Sequence, residues 1–474
     1  MTKLVTSYTA PNIVNGLTDD ENTVLRDLWR QWTTHRAKNL LLSVYYDGHR
    51  AFQDLGIAVP PQMTQTRAAL GWPAKAVTAL ARKHVFEGYA LDGKSDVYGT
   101  DTTLAANGFD VELSQAITSA YKHSCAFLTV TAGDPTRQDP DVVIQARDAE
   151  MSAALWDKRR RELSAFLIID STDDHGQPDG AVLYLHHETY RLTRTTGAWD
   201  AIPLGNRTGR LLVEPLVYDP QLNRPFGRSR ITREVRYLTD AAIRTLVRTE
   251  TNAEFFASPQ RYALGVDSGA FDHDDRWSAI MGRLWALEPN EDGNTPTVGQ
   301  FAQASMEPHL AMYRQLAQNF CAATNLPQSS VGLFAENPTS AEAMQTAEAA
   351  LADEAEWQWR IFTPALTRTL QNIIMVRDSL TTTPDDLWRV KPKWTPARYA
   401  SPSASADYIA KVVATFPQLS TSTVALRRAG LTVEDLEEIQ AEQRTAGAST
   451  LLDKALAAVD AKNTATTNTA TVTP

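Results

Sequence analysis

The 474-residue chain carries 46 basic and 56 acidic side chains, a formal net charge of −10, which argues against a protein that grips nucleic acid through a basic surface. At 43% hydrophobic and 22% charged it is folded globular material rather than a disordered chain, long enough for roughly two to four domains. Cys125 and Cys321 are too few for a disulfide framework and fit a reducing compartment. No apolar run of about 18 residues is present to span a membrane, and Met1–Ser7 lacks the apolar core of a signal peptide.

The first helix signal runs from Asp19 to about Phe52. Thr18 or Asp19 can cap it, and Val24, Leu25, Leu28 and Trp32 give one apolar stripe. Gly48 suits a turn inside that segment. A second helix is expected over Trp72–Val85 and a third over Asp110–Cys125, leading into Ala126–Val130. From there to Val217 the period shortens to two. Val142–Ala146, Ala165–Ile169, Ala181–His186 and Tyr190–Thr193 read as a meander of short antiparallel strands, with turns at Asp173–Gly176 and Pro178–Gly180.

After Pro225 long helices dominate. Over Arg230–Phe256, Ile231, Val235, Leu238, Ala242, Leu246, Thr249, Ala253 and Phe256 recur at spacings of three and four. This narrow seam with wide polar faces suits a helix packed sideways against neighbours rather than one sunk in a core. Residues 258–300 read as short strands and turns, with Arg283–Leu287 the clearest strand. A second seamed helix follows, through Met306, Leu310, Tyr313, Ala317, Phe320 and Thr324, stopping ahead of Pro327. Beyond a loop at 328–339, one very long helix runs from Ser340 to about Val376, capped by Thr339 or Ser340 and broken or kinked near Thr363-Pro364. Residues 385–400 read as extended, 403–460 as two or three helices, and the Thr/Ala/Asn-rich tail 462–474 as disordered.

Catalytic signatures are missing from this pattern. No phosphate loop, dinucleotide-binding turn or nucleophile elbow occurs. His186 and His187 are strand neighbours that point to opposite faces, so they share one metal ion poorly. Asp272-His273-Asp274-Asp275 lacks the spacing of a calcium loop. Asp170, Asp173 and Asp174 suggest a two-metal nuclease only if a distant carboxylate joins them, and none stands out. Arg228, Arg230, Arg233, Arg236, Arg244 and Arg248 alternate with Glu234, Asp240, Glu250 and Glu254, which favours helix-surface ion pairs over a phosphate-facing stripe. If such a stripe exists, Arg244 and Arg248 are its members.

The order of parts is more specific than any single motif. A helix ends in Tyr45-Tyr46-Asp47-Gly48; another carries Trp72-Pro73-Ala74-Lys75-Ala76. Pro225-Phe226-Gly227-Arg228-Ser229-Arg230-Ile231 opens a long helix. A later helix ends in Asn325-Leu326-Pro327, and Asn337-Pro338-Thr339-Ser340-Ala341-Glu342-Ala343 opens the next. Over about residues 20–445 this resembles the portal proteins of tailed bacteriophages, in particular those infecting actinobacteria.

The resemblance implies an α+β portal fold, mainly helical with a small β meander, and a virion protein without enzymatic activity, cofactor or metal. It implies a ring of twelve copies at one capsid vertex, assembled in the host cytoplasm around a channel for double-stranded DNA. Its partners would be further copies of itself, the terminase large subunit during packaging, head–tail adaptor proteins, and the major capsid and scaffolding proteins, with no membrane. The implied regions are a wing (1–229), stem helices (230–257 and 306–327), a clip between them (258–305), a tunnel loop (328–339), a kinked tunnel helix with wing return (340–402), a crown (403–461) and a tail (462–474). Seam contacts would come from Ile231, Val235, Leu238, Leu246, Phe256, Leu310, Tyr313 and Phe320. Trp277, Leu284 and Trp285 would pack the clip. Gly332, Leu333, Phe334, Ala335, Glu336, Asn337, Pro338 and Thr339 would line the channel. Competing expectations are another structural virion protein, such as a minor capsid or adaptor component, and a metal-dependent hydrolase or nuclease using Asp170 and Asp173.

Overall fold

The structure is a computed structural model that describes residues 8, 10–49, 68–92, 96–195, 197–257, 261–264, 295, 297–300, 305–333, 341–398, 402–417, 426 and 438–439. Its helices are α1 (Asp19–Tyr46), α2 (Trp72–Ala81), α3 (Asp101–Ala106), α4 (Phe109–His123), α5 (Arg233–Ala257), α6 (Glu307–Thr324), α7 (Ala341–Arg377) and α8 (Pro402–Thr415). Its strands are β1 (Val14–Asn15), β2 (Phe86–Ala90), β3 (Cys125–Ala132), β4 (Val142–Asp148), β5 (Ser152–Asp157), β6 (Glu162–Thr172), β7 (Pro178–Tyr184), β8 (Thr189–Thr195), β9 (Ala198–Pro203), β10 (Val213–Val217), β11 (Arg261–Leu264), β12 (Thr297–Gln300) and β13 (Lys391–Trp394). The class is α+β. Residues 1–397 form one compact unit; α8 belongs to a second unit, 398–474.

Helix α1 begins with a capping box. The Glu21 amide donates to Thr18 Oγ1 at 3.3 Å and the Thr18 amide to Glu21 Oε2 at 2.8 Å. The helix stops at Tyr46, where Gly48 takes a φ of +68°, so it is shorter than its apolar pattern suggests. Leu25, Leu28, Trp29 and Trp32 are buried against one face of a six-stranded sheet of order β1-β9-β8-β7-β6-β5. All its pairs are antiparallel except β1 with β9.

The other face of that sheet packs on a three-stranded sheet, β10-β3-β4, through Phe166, Ile168 and Tyr184 against Phe127, Val213 and Val217. A bulge sets the facing. Trp156 pairs with Leu163 and Leu155 with Ala165, which leaves Ser164 as an extra residue. Leu163 therefore joins Phe166 and Ile168 on the inter-sheet face, while Ala165, Leu167 and Ile169 face α1. Without the extra residue, Leu163 would share the face of Ala165.

The far side of the three-stranded sheet opens the largest core. Ala126, Leu128, Val130 and Ile144 meet Leu113, Ile117 and Tyr121 of α4 and Phe362, Leu366 and Leu370 of α7. The same cluster continues into α2, α5 and α6. The free edge of β4 is closed by side chains: Asn107 donates to the Val142 carbonyl (2.8 Å) and accepts from the Ile144 amide (2.8 Å), and Glu112 accepts from the Ala146 amide (2.6 Å).

Two expectations change. Helix α5 is buried more broadly than a narrow seam, with Ala241, Ile243, Thr245 and Val247 all inside. Threonines that read as polar are buried because their hydroxyls bond carbonyls one turn back: Thr239 to Val235 (2.8 Å), Thr245 to Ala241 (2.9 Å) and Thr251 to Val247 (2.8 Å). The first two-thirds of α5 is thus part of a core. Helix α7 is also not broken at Pro364, which lies inside one continuous helix. Its ring removes one donor from the ladder, at the level of the exposed Arg360.

Candidate functional site: the junction of the long helices

The segment Phe226–Ile231 turns the chain from the sheets into α5. Phe226 packs edge-on against Trp156 with ring centroids 5.9 Å apart. Gly227 adopts a φ of +65°, and a Cβ there would lie 1.9 Å from the Tyr218 carbonyl oxygen, so only glycine fits. Arg228 pairs with Asp219 at 2.6 Å. The Ser229 hydroxyl donates to the Lys122 carbonyl (2.6 Å) and accepts from the Ile231 amide (3.0 Å).

Arg230, only 4% exposed, is the centre of the junction. Its Nε donates to the Ala76 carbonyl of α2 (2.7 Å), one Nη to the Tyr218 hydroxyl (3.2 Å) and to Glu354 of α7, and the other Nη to the Thr324 carbonyl at the end of α6. Glu354 also accepts from the Tyr218 hydroxyl (2.7 Å) and Asn325 (3.0 Å). Burial opposes the Arg230 charge, but Glu354 and the neighbouring tyrosines outweigh it and hold the guanidinium protonated. Burial pushes the Tyr218 hydroxyl up to about 12, so it stays a donor. Tyr121 lies edge-on to Tyr218 (4.9 Å) and reaches His84 Nε2 at 3.0 Å, while His84 Nδ1 meets the Leu80 carbonyl at 3.0 Å. That carbonyl accepts only from a protonated Nδ1, which leaves Nε2 to accept from Tyr121. Burial lowers His84 to about 4.

This arrangement corrects the surface ion-pair reading for Arg230, whose partner sits on another helix in the interior. Glu354 escaped notice in the sequence, although an acid among Leu351, Ala352, Ala355 and Gln358, all buried, was the available signal. Such a network builds rigidity: it fixes α2, α5, α6 and α7 to one another and offers no nucleophile or open coordination position.

The other sequence-named residues are spread over these helices. Ile231, Val235, Leu238 and Phe320 are buried, and Phe320 stacks on Trp72 at 4.8 Å. Tyr313 is half-buried, 5.7 Å from Trp72. Leu246, Arg244 and Arg248 are half-buried, and Leu310 is exposed. The side chain of Phe256 lies outside the described residues. Strands β11 and β12 pair antiparallel, from Arg261 with Gln300 to Leu264 with Thr297. Trp277, Leu284 and Trp285 fall outside the described residues, as do Phe334, Ala335, Glu336, Asn337, Pro338 and Thr339 and the Asp272–Asp275 cluster. Gly332, at φ +81°, ends a turn over Gln328–Val331, and Leu333 packs on the core.

Residues 25–448 match the family described as phage portal protein, SPP1 Gp6-like. The chain belongs to this family. It is 27% identical over 412 residues to the portal protein of Mycobacterium phage L5, covering 84% of this chain and 83% of that protein. It is likewise 27% identical over 410 residues to that of Mycobacterium phage D29, with the same coverage. Among solved structures it is similar to chains of the neck of a native GTA particle computed with C12 symmetry (13% identity, TM-score 0.44, 84% of this chain and 99% of that one). A second is the neck of an empty GTA particle computed with C6 symmetry (12% identity, TM-score 0.46, 79% and 95%).

Portal proteins of this family are structural components of the virion, not enzymes. Among the described residues, several members of the acidic and histidine groups of this portal protein make local structural contacts. His187 meets Glu21 of the α1 cap at 2.9 Å, and Glu188 accepts from the Thr189 and Gly205 amides. Asp173 accepts from the His175 and Gln177 amides of a turn. Among the described residues no group of three His, Cys, Asp or Glu side chains is placed to hold a metal, and no helix is long and apolar enough to cross a membrane.

Proposed function

We propose that the protein assembles as a ring of twelve copies at a single capsid vertex and forms the channel through which double-stranded DNA is packaged and ejected. The observation that carries this reading is the α5–α6 pair, which leads to and from the paired strands β11 and β12 and leaves large apolar side chains exposed among the described residues. Tyr237 on α5 (63% exposed) and Leu310 and Met312 on α6 are exposed to solvent. A ring places a neighbour against such surfaces, because a head-to-tail contact uses two different patches of the same chain.

In this reading residues 1–229 are the wing, which contacts major capsid and scaffolding proteins, and α5 and α6 are the stem. Residues 258–305 are the clip, which docks the terminase large subunit and then the adaptor proteins, and 328–339 the tunnel loop. Helix α7 backs the channel, and 403–461 form the crown. Twelve copies carry a summed formal charge of about −120, which disfavours tight capture of a polyanion and suits a conduit through which DNA slides.

Negative-stain microscopy of the purified full chain tests the reading. End-on rings with a central hole are expected. Compact monomers at every concentration and salt would overturn it.

A further inference from the structure

Two features on different elements are complementary. The first is a groove of 410 Å³ between α5 and α6, lined by Glu234, Tyr237, Leu238, Asn319, Ala322 and Ala323. Its α6 wall is Asn319 with the small Ala322 and Ala323, which leaves room for a bulky group. Glu234 at its edge is exposed and negatively charged.

The second feature is Trp357 on α7. It is 61% exposed, a large apolar surface to leave in water. It lies on an exposed stripe with Ala350, Asp353, Arg360 and Pro364, at the spacing of one helix face. Arg360 sits over its ring, with Cζ 5.7 Å from the centroid, and its guanidinium is solvent-exposed. The exposure of Trp357 shows that it does not occupy the groove of its own chain.

We propose that Trp357 of one copy seats in the α5–α6 groove of the next, with Arg360 beside Glu234. The inference deepens the ring reading and rests on it. Among the described residues neither knob nor groove is covered, and the two belong to different elements, which is the pattern of a head-to-tail contact that repeats around a closed ring. One charge pair is complementary: Arg360 on the knob and Glu234 at the groove, while Asp353 on the same stripe shares the sign of Glu234. An aromatic anchored in a pocket with an ion pair at its rim is the usual centre of a strong contact.

The test uses full-length chains carrying one new cysteine each, Trp357→Cys or Ala322→Cys. The native Cys125 and Cys321 are buried, so the new thiols report. Mixed and oxidised, the two variants are expected to form disulfide-linked dimers, and neither variant alone. Charge reversal provides a second readout. Glu234→Arg or Arg360→Glu is expected to lower the ring fraction at fixed concentration by about tenfold, and the double reversal to restore much of it. Wild-type rings that show neither the cross-link nor the charge rescue would overturn the pairing and leave the ring reading standing. A Trp357→Cys thiol already shielded from maleimide in the monomer would place the chain's own C-terminal segment over α7, and would also overturn it. A wild-type chain that forms no ring would remove both.

Discussion

Arg230 and Glu354 are 124 residues apart in the chain and form a buried ion pair that ties the entry of α5 to the middle of α7. Arg230 is 4% exposed and Glu354 is 18% exposed at its side chain. The guanidinium also takes carbonyls of α2 and α6, so removing it takes one donor each from the Ala76 and Thr324 carbonyls, the Tyr218 hydroxyl and Glu354 at once.

Arg230→Ala should therefore destabilise the fold by about 3–5 kcal/mol, the cost of leaving one partner of a buried pair uncompensated. Replacing both partners by apolar residues, Arg230→Met with Glu354→Leu, should recover a large part of that loss. Urea unfolding of the three proteins measures it. A loss under about 1 kcal/mol for the single variant would show that the pair is solvated.

The closed edge of β4 gives a second expectation. Asn107→Ala leaves the Val142 carbonyl and the Ile144 amide unpaired at a sheet edge, at a cost of about 1–3 kcal/mol. The freed edge should also raise aggregation. Light scattering on mild heating should separate the variant from an Asn107→Gln control only if the Gln amide reaches the strand.

Acid should weaken the helical core through His84. Its folded value, about 4, lies below the ordinary 6.5. Between these values the unfolded chain binds the proton and the folded chain does not. Stability is therefore fully present above about pH 6.5 and falls as pH drops towards 4, by up to about 3 kcal/mol. His123, lowered to about 4 by burial, acts in the same direction. Glu214, raised to about 7 by burial, acts oppositely as pH rises from 4.5. Thermal unfolding of His84→Gln across pH 4–7 should show a flatter acid limb than the wild type.

The channel reading makes Glu336 a ring of carboxylates facing DNA. Glu336→Lys should slow packaging by adding phosphate contacts, with the defect relieved as salt rises, and should leave ring assembly unchanged. Packaging at the wild-type rate would take the loop out of the channel. A companion change, Leu246→Asp, should lose or distort rings while the sheets stay folded; normal rings would remove Leu246 from the seam.

Much of the secondary structure was legible because helices and strands leave a local period. The Thr18–Glu21 box and the Leu25–Leu28–Trp32 stripe set out α1 from a short window of sequence. Packing between layers left no such mark. The Ser164 bulge, which turns Leu163 towards the second sheet, depends on its partner strand. The depth of α5 was hidden because Thr239, Thr245 and Thr251 count as polar in any pattern, while their hydroxyls are satisfied inside the helix. Arg230 read as one basic residue among six, since the residues that distinguish it, Ala76, Tyr218, Thr324 and Glu354, lie far from it in the chain.

Strand β3 presents Phe127 to the inter-sheet core and Leu128 and Val130 to the helical core. It is a wall shared by two rooms, and neither can lose its packing without exposing the other. Amides of Phe127–Val130 should thus exchange with solvent only when the whole 1–397 unit opens. Force applied to the long helices would meet the sandwich as a stiff anchorage, so a load on the helices is borne by the whole unit and not absorbed at a hinge.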